Sequence, residues 1–256
     1  MSSDSAAPPA AIRLTAIPGI PAVSPGDDLA ALIDTAAGAN GLALAGNVLV
    51  VAQKIVSKAE GRLVELADVE PSEQAHEIAR EDDKDPRHVE VVLRETARIV
   101  RRGHRVMISE THHGFVCANA GVDLSNAPAS EVAVLLPVDP DASAAALREG
   151  LVARGANDVA VIVSDTFGRP WREALVDMAI GSAGIDPILD VRGGRDWTGR
   201  ELEVTTLATV DQLAAAAGLL MQKDAGIPAV LVEGVTTGGR GSVRDLLRDP
   251  QQDLFR

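Results

Sequence analysis

The chain has no tyrosine, and aromatic residues make up only 2% of its 256 positions. Single-stranded nucleic acid is gripped on aromatic faces, so this scarcity removes the usual stacking platform. Positive charge is also short: 24 Lys and Arg stand against 37 Asp and Glu, for a formal net charge of −13. Such an acidic surface repels a phosphate backbone, and nucleic acid is not an expected partner. The single cysteine, Cys117, has no partner for an internal disulfide and makes a reducing cytoplasm the expected compartment. No apolar run approaches the roughly 20 residues that span a bilayer. The opening "MSSDSAAPPA" lacks the basic start and apolar run of a signal peptide and reads as a disordered tail over residues 1–12. Three chemical signatures are missing too. There is no G-x-x-x-x-G-K-[ST], so a nucleotide site here is not a P-loop. There is no G-x-S-x-G. The D-x-D-x-T of aspartyl-phosphate enzymes lacks its first carboxylate, because Val163 stands two before Asp165.

What is present is a large apolar fraction, 46%, enough for a sizeable core in one large domain or two intimate subdomains. Apolar runs alternate with amphipathic segments, which predicts an α/β or mixed α+β architecture. Val-rich strands are expected in "NVLVVAQKIV", "EVAVLLPVD", "DVAVIVSD" and "PAVLVEGV", their continuous apolar character suggesting cover on both faces. Helices are expected in "SPGDDLAALIDTA", capped by Ser24 with Pro25 in the first turn, and in "DPRHVEVVLRETARIVRRG", running to a stop at Gly103. Two more are expected at 141–155 and at 209–226, the last with a Thr209–Gln212 capping box.

The chemistry gathers at strand ends and in polar loops. "VIVSDTFGRPWR" drives a strand into Asp165 and Thr166, followed by Arg169 and Arg172. Carboxylate and hydroxyl oxygens suit a hard cation such as Mg²⁺ or Mn²⁺, and arginine forks suit phosphate oxygens. The same residues read equally well as a helix N-cap with solvated arginines. "AGVDLSN" offers Asp123 and Asn126, alone an ordinary Asx-turn, but with Asp165 a potential shared metal site. "QKIVSKAEGR" sets Gln53, Lys54, Ser57 and Lys58 just after a strand, where lysines can offset phosphate charge or simply meet solvent. His112 and His113 have no third ligand at a zinc-like spacing, Cys117 is expected to pack as a small hydrophobe, and "GGRGS" reads as a mobile turn.

In order along the chain, "VVAQKIVSKAEGR", "HGFVCANAGVDLSN", "LLPVDPDASA", "SDTFGRPWR", "AIGSAGIDPILDVRGGRDWTGREL" and "GIPAVLVEG" resemble the coenzyme F420-0:γ-glutamyl ligases. The likeness runs from about Ile17 to the C-terminus, and "ANAGVDLSN" and "SDTFGR" are its most specific parts. It implies one ligase-like domain over 13–256 with an α/β fold that is neither P-loop nor ATP-grasp, in an intertwined homodimer. It implies a GTP-dependent acid–amino-acid ligase, GDP-forming, that activates a carboxylate of F420-0 as an acyl phosphate. L-glutamate then displaces phosphate, and further γ-linked glutamates can follow. By the same resemblance Asp123 and Asp165 are metal ligands, with Thr166 joining at a second divalent ion, and potassium is a further expected cation. Asn126 and Lys58 are GTP contacts, with Gln53 a less regular one, and the backbone of Ile20, Pro21, Ala22 and Val23 lines the nucleotide pocket. Lys58 and Arg169 are expected to neutralise the transferring phosphoryl group beside Asp165.

This sequence departs from the family in placing Leu175 and Val176, rather than Gly-Gln, before Asp177 in the helix expected after "GRPWR". It carries Gln222 where glycine is common. Some relatives continue into a flavin-binding domain; with the sequence reaching Arg256 after "DPQQDLFR", that activity is not expected here. Other readings are a different metal-dependent phosphotransferase, such as a small-molecule kinase, and a non-catalytic nucleotide- or cofactor-binding relative.

Overall fold

A computed structural model describes residues 10–124 and 131–253. The elements run in the order β1 (Arg13–Ala16), α1 (Leu29–Ala39), β2 (Val48–Ala52), α2 (Gln53–Ala59), β3 (Leu63–Glu65), α3 (Glu73–Asp82) and α4 (Pro86–Arg94). Then come β4 (Thr96–Gly103), β5 (Val106–Thr111), β6 (Val116–Ala118), β7 (Val132–Val134), α5 (Pro140–Val152) and β8 (Ala160–Arg169). The chain continues through β9 (Arg172–Ala183), β10 (Ile188–Asp190), β11 (Thr206–Ala208), α6 (Thr209–Gly218) and β12 (Ala229–Glu233). The architecture is mixed α/β, as expected.

The main sheet has five strands in the order β1-β12-β2-β8-β9. Only β2 and β8 are parallel; the other neighbours run antiparallel. Val48 to Val51 of β2 and Ala160 to Val163 of β8 are wholly buried, which is why these stretches read as unbroken Val-rich runs. Helices α1, α5 and α6 join this core through Ile33, Leu147, Leu151 and Leu213. A second, smaller core forms from α3, α4, β5 and β7, with Ile78, Val89, Val92, Met107 and Ala133 at its centre. The meander β4-β5-β6 flanks it. Among the described residues, no helix is long and apolar enough to cross a membrane.

Several local expectations are corrected. Helix α1 starts at Leu29, not at Pro25, and its cap is Asp28, whose carboxylate accepts the Ala31 amide at 2.9 Å. The long helix expected from Asp85 to Gly103 ends at Arg94, and Thr96–Gly103 is strand β4. Asp85 does cap α4, accepting the Arg87 amide with Pro86 in the first turn. Helix α6 stops at Gly218, and its N-cap, Ala208, supplies no side-chain bond, so the Thr209–Gln212 capping box does not form. The "LLPVD" end of the expected second strand is not strand, because β7 closes at Val134.

The largest correction bears on the site. Asp165 caps no helix. Strand β8 continues through Asp165 and Thr166 to Arg169, turns at Pro170 and Trp171, and returns as β9, so the helix expected after "GRPWR" is a strand. Val163 pairs with Gly181 but Ser164 with Ala179, which leaves Ile180 as an extra residue on β9. A bulge of this kind bends and re-aims the ribbon, and this one falls just before Asp165.

Candidate active site

A cavity of about 430 Å³ opens where β2 ends and its parallel pairing with β8 stops, at Ala52 and Ser164. In sheets with parallel strands this is where ligands settle, since loops diverge there and leave a crevice. Ala52 and Ser164 are register partners, so the chain leaving β2 and the chain passing Asp165 lie side by side. The first becomes α2, which carries Gln53, Lys54 and Lys58 into the lining; the second brings Asp165 and Thr166. Asp123 arrives from the smaller core. It sits after a 3-10 turn at Asn119–Gly121, clamped by a two-way bridge to Val134 (Asp123 amide to Val134 carbonyl 3.0 Å, the return bond 2.9 Å). Residues 20–23 and 226–228 also line it.

Most residues predicted from sequence therefore meet. Ile20, Pro21, Ala22, Val23, Gln53, Lys58, Asp123, Asp165 and Thr166 all line one cavity. Gln53 is buried, and its amide nitrogen donates to Ser57 Oγ at 2.6 Å and to the Leu135 carbonyl at 2.9 Å. Arg169 does not line the cavity; it lies near the hairpin tip, donating to the Glu173 carbonyl at 3.4 Å. Asn126 lies outside the described residues.

One contact of Lys54 was not foreseen, and one residue, Asp177, was missed. Lys54 Nζ makes an ion pair with Asp123 Oδ2 at 2.7 Å, a link between the two cores across the cavity. Its signal was available: Lys54 and Lys58 are four apart, hence on one helical face. Asp177 also lines the cavity, and its Oδ1 accepts the Thr166 hydroxyl at 2.7 Å. Thr166 and Asp177 are directly opposed on β8 and β9, where side chains share a face. A helical reading of "REALVD" hides that pairing. Gly218, the last residue of α6, makes room for Asp177: a Cβ there would stand 2.1 Å from Asp177 Oδ2.

Burial pushes the Asp165 carboxyl up to about 6; the Thr166 amide opposes the rise, repulsion from Asp123 and Asp177 adds to it, and Lys54 lowers it. Holding a carboxylate there is unfavourable unless a cation joins it, and perturbed acids in clefts mark functional sites. Among the described residues no group of three or more His, Cys, Asp or Glu is arranged to hold a metal ion. Mg²⁺ needs less than that. It keeps several waters and binds through one or two carboxylates plus substrate phosphates, so the hard oxygens of Asp123, Asp165 and Thr166 fit it. The histidines do not form a metal site: His112 Nε2 donates to the Arg94 carbonyl at 3.0 Å and His113 Nε2 to the Pro137 carbonyl at 2.9 Å. Cys117 is buried in the main core, and burial pushes its thiol up to about 12, so it is an inert packing residue.

The family model for F420-0:Gamma-glutamyl ligase matches residues 19–234. The chain is 47% identical over 250 residues to the coenzyme F420:L-glutamate ligase of Methanothermobacter thermautotrophicus, covering 96% of this chain and 99% of that one. It is 47% identical over 251 residues to that of Methanopyrus kandleri, covering 96% and 98%. The Archaeoglobus fulgidus protein of the same name is 38% identical over 246 residues, covering 96% of each. The chain belongs to the F420-0:γ-glutamyl ligase family.

Proposed function

We propose that this protein joins L-glutamate to coenzyme F420-0 at the expense of GTP, in the cavity where β2 ends and its pairing with β8 stops. A carboxylate is a poor electrophile at neutral pH and must first be activated. In the proposed sequence a carboxylate oxygen of F420-0 attacks the γ-phosphorus of GTP and GDP leaves, which gives an acyl phosphate. The glutamate amine then adds to the acyl carbon, loses a proton, and expels inorganic phosphate as the amide forms. Further γ-linked additions repeat these two steps, and the homodimer implied by the resemblance is part of the same proposal.

The residues have separable tasks. Lys54 and Lys58 offset the charge spread over the transferring phosphoryl oxygens. Asp123, Asp165 and Thr166 would hold the divalent ions, Mg²⁺ or Mn²⁺, which when bound neutralise the triphosphate and align it for displacement. Asp177 orients Thr166 through the hydroxyl bond it accepts. The wall at Ile20–Val23 accommodates the guanosine half, and Gln53 braces the start of α2 against Leu135. Without cations this acidic cluster repels a triphosphate; with them it grips one.

The observation that carries the reading is the convergence of Asp123 and Asp165, from different cores, on one cavity that also holds two α2 lysines. Mass spectrometry of F420-0 incubated with GTP, Mg²⁺ or Mn²⁺ and L-glutamate tests it. A mass gain of one or more glutamyl units, with GDP and phosphate formed alongside, is expected. GTP consumption with unchanged F420-0 would instead assign the cavity to another phosphotransfer.

A further inference from the structure

The glycine-rich segment "GGRGS" (238–242) plays no part in that chemistry, yet it is firmly built. The Gly238 amide donates to the Gly184 carbonyl at 2.7 Å, and the Arg240 amide donates to Asp186 Oδ1 at 3.1 Å. The Ser242 hydroxyl donates to Asp141 Oδ2 at 2.5 Å, and the Val243 amide to Asp141 Oδ1 at 3.1 Å. The sequence expectation of a mobile turn is thus corrected: the segment is laced to the chain at both ends.

Beneath it lies a second cavity of about 390 Å³, lined by Arg148, Gly184, Gly238, Gly239 and Arg240. Its position is at the other end of the sheet from Asp165. Gly184 follows β9 at the level where β8 begins, five residues before Asp165, or roughly 17 Å at strand rise. Arg148 is seated from α5: its Nε donates to the Val159 carbonyl at 2.8 Å. Gly184 clears that seat, since a Cβ there would stand 2.4 Å from the Arg148 Nε. The terminal nitrogens of Arg148 and the whole Arg240 guanidinium have no carboxylate partner among the described residues, and the Gly239 amide donates to no protein acceptor there. Asp186 gives its Oδ1 to the Arg240 amide.

We propose that this cavity is a second, separate anion site that binds a phosphate group through Arg148, Arg240 and the Gly239 amide. Two guanidinium groups from different elements match the several oxygens of a tetrahedral phosphate, and the Gly239 amide extends the same cradle. The hollow is larger than the ion, so both free phosphate and the phosphate end of a larger molecule fit. The inference does not depend on the ligase reading.

Calorimetric titration with inorganic phosphate and, separately, glycerol 3-phosphate tests it on the wild type, Arg240→Ala, Arg240→Lys and Lys58→Ala. Wild type and Lys58→Ala should bind phosphate alike. Arg240→Ala should weaken binding about tenfold or more, since a charged fork is lost, with partial recovery in Arg240→Lys. Tighter binding of the ester assigns the site to the end group of a larger molecule; equal binding assigns it to the free ion. Arg240 is exposed, so its removal leaves the fold intact. Equal phosphate binding by Arg240→Ala and wild type, or loss of binding in Lys58→Ala alone, would overturn the proposal.

Discussion

The two ends of the β8–β9 ribbon carry opposite charge. At one end Asp165, Thr166 and Asp177 face a cavity with Asp123; at the other, Arg148 and Arg240 flank a glycine-lined hollow. The same pair of strands supports both, yet the electrostatics differ in kind. The arginine end meets an anion directly, with donors already in place. The carboxylate end holds its negative charge against desolvation, and its only balance within the lining comes from lysines such as Lys54, which is paired with Asp123 at 2.7 Å. On the proposed reading, a site built this way binds phosphate only when cations come with it. The arginine end is complete as it stands, whereas the carboxylate end is poised for a partner.

Removing the charge that defines the carboxylate end breaks the comparison most severely. On the proposed reading, Asp165→Ala should lower glutamylation and GTP turnover about a thousandfold or more, because the group proposed to hold metal and organise charge in phosphate transfer would be lost. Steady-state GDP release measures it, and circular dichroism should show an unchanged fold. Near-normal turnover would remove Asp165 from the chemistry.

A smaller effect is expected from geometry alone. Gly218→Ala adds a methyl group 2.1 Å from Asp177 Oδ2, so Asp177 must rotate and release the Thr166 hydroxyl. Overpacking of this size costs about 1–3 kcal/mol in stability. Activity should fall about tenfold, with kcat more affected than KM for GTP, since Thr166 is misaligned while the guanosine wall is untouched. An unchanged kcat would mean that Asp177 merely fills space.

How much of this was legible beforehand follows the same division. The parallel pair β2 and β8 showed itself as Val-rich runs because both strands are buried on both faces. Asp165 at the end of such a run was therefore visible, and so was the oxygen-rich turn at Asp123. The hairpin was not. "REALVDMAIGSA" contains a bulge at Ile180, which breaks the period-of-two pattern that would have marked a strand. Strand β4 was hidden in the same way: register shifts between Thr96 and Arg98, and between Ile99 and Arg101, space its half-buried residues three apart at 96, 99 and 102. In the sequence, Thr96 and Val100 extend the stripe of Val89, Val92 and Leu93 at helical spacing, so the segment reads as a continuation of α4. Asp177 was lost with the hairpin, because its role depends on standing opposite Thr166. The second cavity gave no sequence signal, since Arg148 and Arg240 are 92 positions apart and meet only when the loop at 238–240 folds over Gly184.

The smallest expected effect sharpens the contrast, because it separates stability from activity at one position. In the unfolded chain Asp165 should titrate near the ordinary aspartate value of about 4, whereas in the folded chain it is pushed up to about 6. Between those values the folded state binds more protons, so this group's contribution to stability is full below pH 4 and is lost as pH rises through 6. Asp165→Asn cannot ionise and escapes that loss. With divalent ions chelated, the variant should be more stable than wild type by about 1–3 kcal/mol at pH 7.5, the upper figure reduced because the carboxylate keeps some contact with solvent. The difference should vanish below pH 4. Urea denaturation at a series of pH values reads this directly. An inactive variant that is also the more stable one would mean that Asp165 is kept ionised for its chemistry and against the fold's own interest. If wild type and variant instead keep the same stability difference at every pH, Asp165 is not held against its desolvation, and the electrostatic contrast between the two ends of the ribbon fails with it.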